Sequence, residues 1–233
     1  MKKLVLLIIV SMALSGFAYA QQVGPGVPPP NLPGKMASPN FGVGYYFQQA
    51  EFEGLAFEED RIYAHLGAVF GDASTPNYEL FMRIGGATLE EENGFDGSGE
   101  MTYAAGIKGE FYQGTTFGWG GVLQGMYVDS YEDSVQVGNQ EVNLALEKCW
   151  EVELAFPLHA RFRKALFYMG PLFYSATADV ASEAFFSNEG DIDEDHNVGA
   201  FGGLVIRGKQ VSLEIEGKYR SDMSGGAMLS FTF

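Results

Sequence analysis

The chain has 233 residues, 46% of them hydrophobic and only 19% charged, a composition too apolar and aromatic for a disordered polymer. A net charge of −16 leaves no large basic face to neutralise phosphates, which argues against a nucleic-acid binder. The single Cys149 excludes a disulfide framework and any multi-cysteine metal site.

Met1–Ala20 combines Lys2 and Lys3, an apolar run from Leu4 through Leu14, and the small-x-small end Ala18-Tyr19-Ala20. That order of charge, apolar run and small residues predicts a cleaved signal peptide. The run is too short to span a bilayer comfortably, and no cysteine follows it for a lipid anchor. Residues 21–40 carry Pro25, Pro28, Pro29, Pro30, Pro33 and Pro39 among several glycines, which predicts an extended periplasmic leader.

From Phe41 to Phe233 the chain breaks into segments in which every second residue is apolar. In the last, Ala227, Leu229, Phe231 and Phe233 share one face; Gly226, Met228, Ser230 and Thr232 share the other. In the one before, Val211, Leu213, Ile215 and Tyr219 alternate with Ser212, Glu214, Glu216 and Lys218. The stretch 142–158 puts Leu144, Leu146, Trp150, Val152 and Leu154 on the apolar side, with Glu147, Cys149, Glu151 and Glu153 opposite. The apolar face collects aromatics at segment ends: Phe41, Tyr45, Phe111, Phe117, Trp119, Tyr174, Tyr219 and Phe233. A sandwich core would not tolerate the charged opposite face. The pattern therefore predicts an all-β fold, a transmembrane antiparallel up-and-down β-barrel of ten strands. These run over about 41–53, 61–71, 77–89, 100–113, 116–128, 142–158, 164–178, 198–207, 210–220 and 225–233, with eight strands as the alternative.

Short connections (72–76, 113–115, 159–163 and 208–209) alternate with longer ones at 54–60, 90–99, 129–141 and 179–196. The four long segments hold 18 acidic residues and no Lys or Arg. They are expected to be the extracellular loops, giving an acidic outer surface.

With its signal peptide, its alternating strands and the ending Ser230-Phe231-Thr232-Phe233, the chain resembles the small outer-membrane β-barrel proteins of Gram-negative bacteria, the outer-membrane-protein-A and X type. The resemblance implies a place in the outer membrane among lipid and lipopolysaccharide. It also implies that Leu229, Phe231 and Phe233 form the C-terminal signal read by the barrel-assembly machinery. The chain is expected to depart from that type by two extra strands and by carrying no wall-binding domain after the barrel.

Three groups of residues invite a chemical reading. Asp191, Asp193 and Asp195, in the run Asp191–His196, alternate as ligands of a hard cation such as Ca²⁺ would, but lack the EF-hand glycine and terminal glutamate. A solvated acidic loop, with at most weak Ca²⁺ binding, is the expectation. His65, His159 and His196 could in principle serve a hydrolase, yet no serine neighbours His65 or His159 on its strand face, and no second aspartate pair accompanies His196. No enzyme is expected, and no cofactor.

The third group is the inward face. His65, Arg83, Lys108, Glu151, Glu153, Glu214, Glu216 and Lys218 are expected to form one mixed-charge belt in the lumen, crowded from another side by Phe167, Met169 and Phe173. Cys149 is expected inward and inert, and Lys148 at the outer interface, reaching lipopolysaccharide phosphates. The function expected is structural or interactional within the cell envelope, including contact with a cationic extracellular partner. A narrow cation-preferring pore is the rival reading.

Overall fold

The computed structural model describes residues 37–52, 55–72, 75–91, 96–137, 140–182, 190–193, 197–220 and 223–233. The expected signal peptide and nearly all of the expected leader lie outside them. The strands are β1 (Ala37–Phe52), β2 (Leu55–Asp72), β3 (Thr75–Glu91), β4 (Asp96–Gln113), β5 (Phe117–Val137), β6 (Gln140–Ala155), β7 (Leu158–Phe162), β8 (Ala165–Ser182), β9 (Gly190–Asp193), β10 (Val198–Arg207), β11 (Val211–Tyr219) and β12 (Met223–Thr232).

These twelve strands make ten staves. β6 and β7 form one stave broken at Phe156-Pro157, where Pro157 has no N–H to give the ladder. β9 and β10 pair successive stretches of β8 and form another. Every stave is antiparallel to its neighbours, and β12 pairs β1 through Phe41 opposite Phe231, so the sheet closes on itself without an edge. The ten-strand barrel read from the alternation is thus the observed fold.

β1 begins at Ala37, four residues before the expected start, with Pro39 accepted near the strand's beginning. The larger correction concerns the acidic connections. Residues 55–60, 129–137 and 140–141 are strand, and the ladders continue to Phe52 opposite Leu55 and Val137 opposite Gln140. Alternating residues such as Tyr131, Val135, Val137 and Val142 favour extended pairing, so most of the acidic residues sit on hairpins rather than on free loops.

Faces sort by the two-residue period. Ile62 (69% exposed), Met169 (67%) and Phe117 (68%) are among the apolar residues on the outside. Tyr46, Tyr63, Phe81, Tyr168, Tyr174 and Phe201 are buried inside. Two expectations about faces are overturned. Phe167, Met169 and Phe173 point outward, while Leu166, Tyr168, Leu172 and Tyr174 point in. Tyr174 therefore leaves the outer aromatic set, and its ring carries the Arg220 guanidinium at 4.1 Å. The sequence is apolar at both parities along β8, so alternation alone could not choose a face there.

On β6 the register breaks between Glu147 and Trp150, at Lys148 with φ 51°. This bulge flips the parity, so Leu146 is buried inside although Trp150, Val152 and Leu154 face outward. Lys148 is exposed with its Nζ 2.7 Å from the Asp179 carboxylate. Cys149 packs against Ala87, Leu89, Val128, Tyr131 and Leu146.

Candidate functional site: a polar network across the lumen

The structure places all eight belt residues in the interior, each no more than 7% exposed. They are held by partners outside the expected belt. Glu79, fully buried on β3, is the first. Its Oε1 accepts from Asn40 Nδ2 at 2.8 Å and lies 3.0 Å from His65 Nε2, while its Oε2 lies 2.8 Å from Lys108 Nζ. Gly67 beside it has no room for a side chain, because a Cβ there would meet the Glu79 carboxylate. Arg83 donates from Nε to His65 Nδ1 at 3.4 Å. His65 therefore takes the Nε2–H tautomer and adds no charge, so it supplies none of the extra positive charge open to it.

From Arg83 the chain of contacts crosses the barrel. Its Nη1 donates to Gln124 Oε1 at 3.2 Å, and Gln124 donates in turn to Glu153. Glu153 also receives Lys218 and Arg220, and Arg220 reaches Glu151 at 2.5 Å. The linked residues come from β1, β2, β3, β4, β5, β6 and β11, together with Arg220 just beyond β11. On the remaining wall the Tyr168 hydroxyl lies 2.6 Å from Glu216 and 3.3 Å from Glu214.

Two smaller clusters close the ends. Towards the acidic hairpins, Arg61 pairs with Glu59, which also accepts from the Tyr131 hydroxyl at 2.5 Å, and Arg61 sits 4.5 Å above the Tyr46 ring. Towards the chain termini, fully buried Glu110 takes Arg161, with His159 Nε2 at 3.5 Å and Asn77 Nδ2 at 3.4 Å. Sequence reasoning missed these residues for identifiable reasons. Glu79 and Glu110 share the inward parity of Arg83 and Lys108 but lie nearer the turns, Glu59 was expected in a loop, and His159 and Arg161 in a turn.

Among the described residues seven carboxylates are buried (Glu59, Glu79, Glu110, Glu151, Glu153, Glu214 and Glu216) with five fixed cations (Arg61, Arg83, Lys108, Lys218 and Arg220), and the half-buried Arg161 and Arg207 at the terminal end bring the cations to seven. Buried charge is costly unless it is paired. Two cavities of about 40 and 50 Å³ flank Arg61, the first bordered by Arg83, Gln124 and Glu153, the second by Glu59, Tyr131 and Cys149. Each has room for a few waters.

No family model matches the chain, and no curated protein matches it. Solved structures do. The translocator domain of the autotransporter NalP from Neisseria meningitidis aligns over 86% of this chain and 89% of that one, at 10% identity and a TM-score of 0.52. The fold is that of an outer-membrane β-barrel. The transport unit of the autotransporter AIDA-I from Escherichia coli aligns over 97% of this chain and 95% of that one, at 9% identity and a TM-score of 0.46. At such identities the likeness concerns the fold alone.

Of the acidic candidates, Asp191 and Asp193 fall on β9, whereas Asp195 and His196 lie outside the described residues. No group of three potential metal ligands occurs among the described residues. Leu229 and Phe233 face outward, at 39% and 54% exposed, with Phe231 partly covered between them.

Proposed function

We propose that this chain is an outer-membrane barrel closed from within, serving the cell envelope as a structural and surface-interacting element. The observation that carries the reading is the chain of contacts from Asn40 through Glu79, His65, Arg83, Gln124 and Glu153 to Lys218 and Arg220, which bridges opposite walls of the lumen. A dedicated cation pore would leave one sign of charge in excess along its lining. Here the signs balance. Translocation, the role of the NalP domain, needs a passage for a polypeptide, which the contacts from Arg83 through Gln124 and Glu153 to Lys218 would obstruct.

In this reading the acidic hairpins β1–β2, β3–β4, β5–β6 and β8–β9 face outward, where they attract cationic partners and bind divalent cations weakly. Leu229, Phe231 and Phe233 serve as the assembly signal. Hydrolysis has no place in it, because Glu79 and Arg83 engage both ring nitrogens of His65. Liposome swelling with small sugars tests the reading: vesicles carrying the barrel should swell no faster than protein-free ones. Rapid swelling would favour the pore.

A further inference from the structure

Five of the 14 Lys and Arg residues fall in two short segments, Arg161–Lys164 and Arg207–Lys209. They are distant in sequence and adjacent in the barrel. Ile206 pairs with Ala165, and the Arg207 N–H donates to the Lys164 carbonyl at 2.8 Å. The Arg161 N–H donates to the Thr116 carbonyl at 2.7 Å, so the β4–β5 turn joins the same rim. Backbone hydrogen bonds thus fix three turns side by side at the end of the barrel that holds both its termini.

The cations divide into two sets. Arg161 is turned to Glu110, and Arg207 lies within electrostatic reach of both. Arg163, Lys164 and Lys209 are exposed, and among the described residues none of the three has a carboxylate partner. The three turns themselves contain no acid, and Glu110 is fully buried. This is the reverse of the lumen, where signs balance. Arg163 also holds φ 57°, a left-handed turn position that glycine or asparagine would occupy with less strain.

The rim borders the apolar outer surface. Phe162 is 67% exposed with the Arg163 guanidinium 5.6 Å from its ring, and Phe167 and Ile206 continue that surface along the two staves. Exposed cations directly beside exposed aromatic and aliphatic side chains match a ligand with an anionic head and apolar chains.

We propose that Arg163, Lys164 and Lys209 bind the phosphate headgroup of an anionic phospholipid in the leaflet at this end of the barrel, its acyl chains lying along Phe162, Phe167 and Ile206. The inference rests on the membrane reading above. It is tested with the full chain inserted into mixed phosphatidylcholine–phosphatidylglycerol bilayers, comparing how strongly spin-labelled forms of each lipid associate with the barrel. Phosphatidylglycerol should be enriched around the barrel by about tenfold at low salt. The triple change R163Q/K164Q/K209Q should bring it to parity, the single changes K164Q and K209Q should each remove part, and K148Q at the other end should remove none. Insertion is read separately by resistance to unfolding on detergent gels, so failure to insert into either bilayer would count against the membrane reading itself. No enrichment in the inserted wild type, or enrichment that survives the triple change, would overturn the proposal. Displacement of the lipid by millimolar inorganic phosphate would overturn it too, by identifying a site for a soluble anion.

Discussion

Lys108 Nζ lies 2.8 Å from Glu79 Oε2 inside the barrel, with neither side chain more than 1% exposed. Such a pair costs more to break than to remove. Lys108→Met leaves the Glu79 carboxylate short of its cation and should destabilise the barrel by about 3–5 kcal/mol. Glu79→Gln together with Lys108→Met should recover most of that loss, since no uncompensated charge remains. Urea unfolding in lipid vesicles measures both. Strictly additive losses would mean that the two groups do not act as a pair.

Met169 decides the face of β8. It is 67% exposed on the outer surface, between Leu158 and Gly202 on the neighbouring staves. Met169→Arg should cost about 2–4 kcal/mol, as a charge facing hydrocarbon does. An arginine tolerated there without loss would return Met169 to the polar lumen and invert the strand.

These two residues also show how far the amino-acid sequence carries. β11 and β12 alternate with little exception beyond the inward Met228, so their faces, the ten-strand barrel and the inward positions of Glu214, Glu216 and Lys218 could be read directly. β8 could not be read so, because Leu166, Phe167, Tyr168, Met169, Leu172 and Phe173 are apolar at both parities. The belt was legible residue by residue through parity. Its partners Glu79 and Arg220, and Glu110 of the terminal cluster, share that parity too, and only their height along the strand hid them. The cross-lumen links from Arg83 to Gln124 and from Glu153 to Lys218 join staves far apart in sequence, and no local pattern encodes them.

Lys148 sits at the bulge that flips β6. With φ 51° it occupies a conformation that strongly penalises β-branched residues. Lys148→Ile should cost about 1–2 kcal/mol, whereas Lys148→Gly should leave stability within about 0.5 kcal/mol. The exposed contact with Asp179 adds little. Chemical denaturation of the two variants is the comparison. Equal losses would assign the effect to the ion pair and not to the bulge.

Cys149 gives an independent check on the outer part of the lumen. Packed against Ala87, Leu89, Val128, Tyr131 and Leu146, its thiol should react with a maleimide far more slowly in the folded barrel than in urea. Equal rates would mean that this region stands open to water.

Whether ion pairs close the lumen is read out by single-channel recording in planar bilayers. Arg83 holds Gln124 at 3.2 Å, and Lys218 pairs with Glu153. Shortening both to alanine cuts the chain of contacts at two points and leaves carboxylates that draw in water and cations. The unmodified barrel should show little or no steady current, and R83A/K218A should show discrete, cation-selective steps. Large, stable, cation-selective steps from the unmodified protein would mean that the lumen is open.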